Sequence, residues 1–205
     1  MTRIQIYGAL AMAFVVVLSN YLVQKYLGNY LTYGAFTYPF AFLVTDLMNR
    51  LEGPKSARKI VFVGFVIGII CSLIGSQIMG EYGPLVSLRV AIGSGIAFLT
   101  AQLLDVFVFN RLRNQAWWKP PVFSSLIGSS IDTMIFFFIA FSVQMIFLEP
   151  ANDVGFFNEA APLLGVGMMA PFWISMAVAD YLVKLVIAMI ALVPYRQAIK
   201  KIEAV

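Results

Sequence analysis

The sequence is dominated by six apolar runs, each close to the length that crosses a lipid bilayer as one helix. Charged residues make up only 12% of the chain, whereas soluble domains carry roughly 25%. Too few polar side chains are therefore present to cover a water-facing surface, and the mean hydropathy is +0.88. The pattern predicts an all-α, polytopic membrane protein with six transmembrane helices, and a single transmembrane domain over residues 1–205.

The six predicted helices cover residues of about 4–24, 31–48, 60–79, 85–110, 122–148 and 163–193. The second is short and contains Pro39 near its middle. Because proline lacks a backbone donor, we expect a kink or a break there. Pro120 and Pro121 open the fifth helix, and Pro194 closes the sixth. The first run is too long for a signal-peptide core, so we interpret it as a spanning helix.

Lysine and arginine are distributed unevenly between the two sides of this arrangement. Lys25 lies on one side, and Arg89 and Lys184 lie within spans. The other eleven of the fourteen are Arg3, Arg50, Lys55, Arg58, Lys59, Arg111, Arg113, Lys119, Arg196, Lys200 and Lys201. These eleven share one side, so the positive-inside rule places both termini in the cytoplasm. The same bias explains the net charge of +4, so the expected partner is the bilayer and not nucleic acid.

The residue types exclude several kinds of site. Histidine is absent, and the single cysteine, Cys71, lies inside an apolar run. A Cys/His metal site, a disulfide within the chain and a catalytic triad with histidine are therefore excluded. A carboxyl pair such as Asp105 with Asp132 is the remaining acid–base device for an intramembrane enzyme. We do not expect an enzyme, a metal site or a cofactor.

Polar and charged side chains inside predicted spans mark the candidate functional site. A charge in a span costs roughly 3 kcal/mol and is functional by default. The candidates are Asn20, Asp46, Arg89, Gln102, Asp105, Asp132, Asp180 and Lys184. Asp180 and Lys184 are four residues apart, so they share a helix face and can pair. Together, these side chains would line a path through the bundle.

Each candidate also has a structural interpretation, and the sequence leaves both open. Asp46 and Arg50 could form an ion pair at the interface, and Asp180 with Lys184 could only fix helix packing. Asp132 could bridge to another helix. Arg89 could extend outward to the interface. Asn20 and Gln102 could hydrogen-bond between helices. Small residues at helical spacing predict close-packed faces: Gly93, Ala97, Ser125, Gly128 and Ser129.

Several strings together resemble the bacterial queuosine precursor transporters, six-helix proteins related to the vitamin uptake transporters. They are Ser19 to Gln24, Gly34 to Phe40, Thr45-Asp46, Gly53 to Lys59, Leu104 to Val106, Val108 to Arg113, Trp117-Trp118, Asp132-Thr133, Phe136 to Phe141, and Asp180-Tyr181 with Lys184. The resemblance covers nearly the whole chain. Two positions depart from the pattern, because Phe107 replaces an expected histidine and Ser129 an expected asparagine.

The resemblance implies a carrier in the bacterial cytoplasmic (inner) membrane that imports deazaguanines such as 7-cyano-7-deazaguanine and 7-aminomethyl-7-deazaguanine. An alternative is a substrate-binding subunit that requires a separate ATPase module, as in some vitamin importers. The chain itself carries no Walker motif. The sequence leaves open whether the chain forms a homodimer, which precursor it prefers and which ion drives movement.

The chemistry of a guanine-like base matches the candidate side chains. Adjacent N–H groups can donate to a carboxylate, for which Asp46, Asp105, Asp132 and Asp180 are available. The ring carbonyl needs a donor, for which Asn20, Arg89, Gln102 and Lys184 are available. The flat ring needs an aromatic face, for which we select Phe36, Phe40 and Trp173. A cationic aminomethyl group would favour a second carboxylate.

Overall fold

The computed structural model describes residues 2–81 and 83–203. In this part of the chain the α-helices are α1 (Arg3–Leu22), α2 (Gly34–Thr37), α3 (Phe40–Glu52), α4 (Pro54–Gln77), α5 (Leu88–Leu112), α6 (Lys119–Phe141), α7 (Gly155–Asn158) and α8 (Phe172–Glu203). Five of them (α1, α4, α5, α6 and α8) are long and apolar enough to cross a membrane. The chain is therefore a multi-pass membrane protein.

Short antiparallel strand pairs lie in three connections between the long helices. They are β1 (Tyr26–Leu27) with β2 (Leu31–Thr32), β3 (Met79–Gly80) with β4 (Gly83–Pro84), and β5 (Ala160–Pro162) with β6 (Met169–Pro171). The apolar pattern of the sequence predicted helices alone. Strands of two or three residues are too short to produce the alternating pattern by which strands are recognised.

The second predicted helix is divided into α2 and α3, which confirms the expected interruption at Pro39. α2 ends at Thr37 and α3 begins at Phe40. Pro39 has no N–H to donate to the carbonyl four residues earlier, so the hydrogen-bond ladder is interrupted there. The break leaves Tyr38 at the start of α3, in the interior of the bundle.

Three helix ends differ from the sequence-based expectation. α4 begins at Pro54 and not near residue 60, because Gly53, at φ +84°, ends α3 and Pro54 occupies the first turn of α4. α6 ends at Phe141, and a 3-10 segment (Val143–Leu148) follows. α8 begins at Phe172 and not near residue 163, because residues 160–171 form the last strand pair and a 3-10 turn.

Pro194 lies inside α8 and does not end it. Proline removes one helical hydrogen bond, but packing beyond that point compensates for the loss. Tyr195 and Ile199 are buried against Phe109 of α5, with Leu43 and Leu47 of α3 alongside. The apolar contacts of this last segment thus extend the helix past the proline.

α5 and α6 pack closely along small residues, as the helical spacing predicts. Gly128 of α6 faces Phe42 of α3 and the carbonyl oxygen of Ala101 on α5. A β-carbon added at Gly128 would lie 2.8 Å from the Phe42 ring and 3.3 Å from that oxygen. Glycine therefore permits the approach that brings the polar side chains of α3, α5 and α6 together.

The basic residues collect at one end of the bundle, which we call the basic end. Gln5 of α1 donates to Glu52 and Ser56 at the turn between α3 and α4. Arg50 of α3 donates to the hydroxyl of Tyr195 on α8 and to the carbonyl oxygen of Arg113 after α5. These contacts place the start of α1 and the ends of α3, α5 and α8 together.

Large apolar side chains cover the outside of the bundle. Phe14 of α1, Ile70 of α4 and Ile190 of α8 are each at least half exposed. Soluble monomers rarely expose contiguous apolar surface of this extent. Such side chains are suited to contact with lipid.

Candidate functional site

The centre of the bundle holds a group of charged side chains on α6 and α8. The Nζ atom of Lys184 lies 2.7 Å from Oδ2 of Asp132 and 2.5 Å from Oδ2 of Asp180. The bond to Asp132 joins α8 to α6, and the bond to Asp180 follows the i, i+4 spacing on α8. The structure contains both contacts that the sequence allowed, an ion pair on α8 and a bridge from Asp132 to another helix.

Two hydroxyl groups complete this arrangement, which we call the central cluster (Tyr38, Asp132, Thr133, Asp180 and Lys184). Tyr38 donates to Oδ1 of Asp132 over 3.0 Å. Thr133 accepts from Lys184 over 2.9 Å and donates to Oδ2 of Asp180 over 3.0 Å. Buried charges are stable only when paired and hydrogen-bonded, and these contacts provide both conditions.

Tyr38 lies at the helix break and contacts the rest of the central cluster from there. Its ring lies beneath the ammonium group of Lys184, with Nζ 5.4 Å from the ring centroid. Tyr38 and Pro39 keep right-handed helical dihedral angles, so the interruption lies in the hydrogen-bond ladder and not in the backbone angles. Interrupted helices with polar groups at this depth are a common basis of binding sites in transporters.

The central cluster has a formal charge of −1 if its two carboxylates and its ammonium group are all ionised. Lys184 and Asp132 are buried, and the Asp180 side chain is 14% exposed. Among the described residues, Oδ1 of Asp180 accepts no hydrogen bond. The central cluster thus includes one carboxylate oxygen without a hydrogen-bond donor among the described residues, in a side chain that is partly exposed.

The three aromatic residues selected from the sequence lie near α2, α3 and α8. Phe36 and Phe40 lie on either side of the helix break and are half-buried. Trp173 lies seven residues before Asp180, close to two turns of α8, so the two share a face. The Trp173 ring meets Phe138 of α6 edge-on, with centroids 6.5 Å apart. Among the described residues, no aromatic pair or cation–π contact joins these rings to the central cluster.

A second polar group lies between α3, α5 and α6, nearer the basic end. We call it the acidic pair (Asp46 and Asp105). Ser124 donates to Oδ1 of Asp46 over 3.1 Å, and Ser125 donates to Oδ2 over 3.4 Å. The Asp105 carboxyl group is adjacent to that of Asp46. The predicted ion pair between Asp46 and Arg50 does not form, because Arg50 donates to Tyr195 and to a carbonyl oxygen.

Gln102 lies one turn before Asp105 on α5 and is fully buried. Its Oε1 accepts from Thr45 of α3 over 2.6 Å. Gln102 therefore joins two helices, as its structural interpretation predicts. Its Nε2 and both carboxyl oxygens of Asp105 have no hydrogen-bond partner among the described residues.

Arg89 and Asn20 lie away from the central cluster. Arg89 is fully buried and does not extend to the interface as the structural interpretation supposed. Its guanidinium group donates to the carbonyl oxygens of Ile139 and Ser142 at the end of α6. A cation at this position satisfies carbonyls that have no helical partner and complements the helix dipole.

Asn20 donates to the carbonyl oxygen of Val16 in its own helix, so no bond between helices is seen. Asn20 also lines a cavity of about 50 Å³ with Tyr38, Ser72 and Ser94. A cavity of this size holds one or two waters, whereas ligand pockets usually exceed about 300 Å³. This cavity is therefore too small for a purine-sized ligand.

Six residues with polar contacts at these positions were not selected from the sequence: Tyr38, Thr45, Thr133, Ser124, Ser125 and Tyr195. Thr133 adjoins a selected aspartate, and Ser125 was assigned to packing. Tyr38 precedes the proline at which a break was expected. This position next to Pro39 could have identified Tyr38 as a candidate, because a side chain at a helix break can face the interior.

Comparison with known proteins supports a transport role. A family model described as a putative vitamin uptake transporter matches residues 32–198. The queuosine precursor transporter of Escherichia coli K12 is 36% identical over 194 residues, which cover 88% of this chain and 79% of that protein.

Two further relatives carry the name probable queuosine precursor transporter. The protein of Haemophilus influenzae is 38% identical over 80% of this chain and 66% of its own length. The protein of Bacillus subtilis is 28% identical over 83% of this chain and 72% of its own length. No solved structure matches the chain.

Proposed function

The chain belongs to the family of putative vitamin uptake transporters, and from this premise we propose that it imports queuosine precursors into the cytoplasm. The three relatives described above are named as transporters of these compounds. The chain is accordingly a transporter and not an enzyme. The central cluster carries the proposal, because charged groups at the core of a membrane bundle mark substrate paths.

We propose six spans, with α2 and α3 together forming the second, in one domain over residues 1–205. The basic end then faces the cytoplasm with both termini, in agreement with the positive-inside rule. We propose placement in the bacterial inner membrane, because the relatives are bacterial proteins named as transporters. The proposed relation to the substrate-binding subunits of vitamin transporters rests on the family description alone.

We propose that the central cluster binds the deazaguanine base. The free oxygen of Asp180 accepts from the N–H edge of the base, and Lys184 donates to its ring carbonyl. The formal charge of −1 favours a cationic aminomethyl group over a neutral nitrile. Trp173, Phe36 and Phe40 supply apolar surface beside the base after the bundle opens.

Binding requires the bundle to rearrange, because the cavity near Tyr38 is much smaller than a base. The Lys184 bond to Asp132 joins α8 to α6 and closes the space between them. A base that donates to Asp180 and accepts from Lys184 would compete with this bond. The proposed site therefore couples ligand binding to separation of α8 from α6.

A genetic experiment tests the proposal. A bacterial strain unable to make queuosine precursors would receive the gene and 7-cyano-7-deazaguanine, and queuosine in its tRNA would be measured. We expect queuosine with the wild type and at least a ten-fold loss with Asp132→Asn. The matched control is Asp153→Asn, which changes an exposed carboxylate. No queuosine with the wild type, or full queuosine with Asp132→Asn, would contradict the proposal.

The alternative role, as a subunit that needs a separate ATPase module, has its own test. Purified chain in liposomes without ATP or another protein takes up the base if it is self-sufficient. A substrate-binding subunit would bind the base but not move it.

A homodimer stays a prediction, which light scattering of the purified protein in detergent would measure.

A further inference from the structure

The acidic pair is distinct from the central cluster in both position and composition. Asp46 lies on α3 two turns beyond the helix break, and Asp105 lies on α5. Neither helix supplies an ion-pair partner in the described part of the chain, where the ion pairs involve Lys184 with Asp132 and Asp180. The acidic pair therefore needs its own explanation.

The charge balance of the acidic pair is the central observation. Asp46 is 2% exposed and Asp105 is fully buried. Two adjacent ionised carboxylates without a cation would repel each other in a medium of low dielectric constant. Ser124 and Ser125 donate to Asp46, but both oxygens of Asp105 have no partner among the described residues. The acidic pair is therefore stable only if at least one of its carboxyl groups is protonated or if a cation lies between them.

The charged and titratable groups on the surrounding helices do not fill that position. Tyr195 of α8 lines a small cavity with Asp46, and Arg50 of α3 and Arg113 after α5 lie near the Tyr195 hydroxyl group. Arg50 and Arg113 donate instead to Tyr195 and to backbone carbonyl oxygens. The basic residues at the start of α4 are exposed: Lys55, Arg58 and Lys59. Lys184 of α8 is bound within the central cluster.

The backbone around the acidic pair favours a proton over a metal cation. Sodium sites in transporters use carbonyl oxygens from unwound helix segments. Here α3, α5 and α6 are continuous at Asp46, Asp105 and Ser124, so the carbonyl groups are occupied by helical bonds. A single proton shared by two carboxyl groups needs no further ligands.

A small cavity adjoins the acidic pair. A cavity about the size of one water molecule touches Asp46 and is lined by Pro39, Leu43, Ser125 and Tyr195. It extends from the helix break toward the basic end. Opening of the contact between Tyr195 and Arg50 would connect this cavity with solvent at that end.

We propose that Asp46 and Asp105 hold a proton that is transported together with the substrate. The acidic pair shares α3 and α6 with the central cluster, since α3 begins beside Tyr38 and α6 carries both Ser124 and Asp132. Binding or release of the proton changes the hydrogen bonds of Ser124 and Ser125. Because these bonds connect α6 to α3, the packing between the two helices changes as well. This inference rests on the proposed function.

Transport in proteoliposomes tests the inference with labelled 7-cyano-7-deazaguanine. Net accumulation would be measured with an acidic exterior, with a sodium gradient and with no gradient. Exchange of internal for external base would be measured separately, because exchange needs no net proton movement. We expect the wild type to accumulate base only with the acidic exterior. Asp105→Asn, which resembles the protonated carboxyl, should lose accumulation but retain exchange within about three-fold.

Asp46→Asn is the second variant and should behave in the same way, because either substitution removes one half of the proton site. Accumulation driven by sodium in the wild type would overturn the inference. So would pH-driven accumulation in both variants, or loss of exchange in both while the proteins remain monodisperse. Failure of the wild type to exchange any base would instead contradict the proposed function, so the two failures are distinguishable.

Discussion

The ammonium nitrogen of Lys184 lies 2.7 Å from a carboxylate oxygen of Asp132, and both side chains are almost wholly buried. This bond connects the last long helix to α6 across the centre of the bundle. Removing one partner of a buried ion pair leaves an uncompensated charge, at a cost of about 3–5 kcal/mol.

Lys184→Met is expected to lower stability by about 3–5 kcal/mol, because two carboxylates would remain buried without their cation. The measurement is the thermal unfolding of the purified protein in detergent. The double variant Asp132→Asn with Lys184→Met should be less destabilised than the sum of the single variants. Strict additivity of the two effects would show that the side chains do not interact.

Tyr38→Phe removes the hydroxyl group that donates to Asp132. A hydrogen bond to a charged group is worth about 1.5–3 kcal/mol. We therefore expect a loss of stability in that range, together with a several-fold change in the KM for the base. Tyr33→Phe is the control, because Tyr33 is exposed before α2. Equal unfolding temperatures and KM values for the two variants would count against the contact.

Arg89→Gln separates a structural from a substrate-binding role. Arg89 satisfies carbonyl oxygens at the end of α6, so its loss should lower stability by about 2 kcal/mol. The KM for the base should stay within about two-fold, because the guanidinium group lies away from the central cluster. A ten-fold rise in KM with an unchanged unfolding temperature would show that Arg89 contributes to substrate binding.

Gly128→Ala tests the close packing between α5 and α6. The new β-carbon would lie 2.8 Å from the Phe42 ring and 3.3 Å from a backbone oxygen, so the helices must separate. We expect a loss of about 1–3 kcal/mol. At Gly95 the same change meets its nearest neighbour at 3.6 Å, an ordinary contact. Gly95→Ala should be neutral or slightly stabilising in the same unfolding assay.

The sequence predicted those features that depend on local pattern. Apolar length predicted the long helices, Pro39 predicted the break, and i, i+4 spacing predicted the pair of Asp180 with Lys184. Contacts between segments that are distant in the sequence could not be predicted from local pattern. Asp46 was matched with Arg50 on its own helix, whereas its carboxyl group meets Asp105 on α5. That contact depends on how α3 and α5 are rotated relative to each other. The apolar periodicity of each helix does not specify this rotation.

Pro194 shows a second limit of local rules. Its chemistry predicts a helix end, yet α8 continues because Tyr195 and Ile199 are buried against Phe109. Arg89 is a second residue whose role depends on contacts with a distant segment. An arginine inside an apolar run indicates function, but its partners are carbonyl oxygens that become unpaired only where α6 ends, a boundary that the sequence placed seven residues later.

The most direct test of the central cluster as the substrate site is the kinetics of Asp180→Asn. Uptake of labelled 7-cyano-7-deazaguanine into proteoliposomes would be measured for the wild type and this variant. The substitution leaves the Lys184 bond to Asp132 in place, so the fold should persist. We predict saturable uptake by the wild type and at least a ten-fold higher KM for the variant. Identical kinetics in a folded variant, or no uptake by the wild type, would contradict the account.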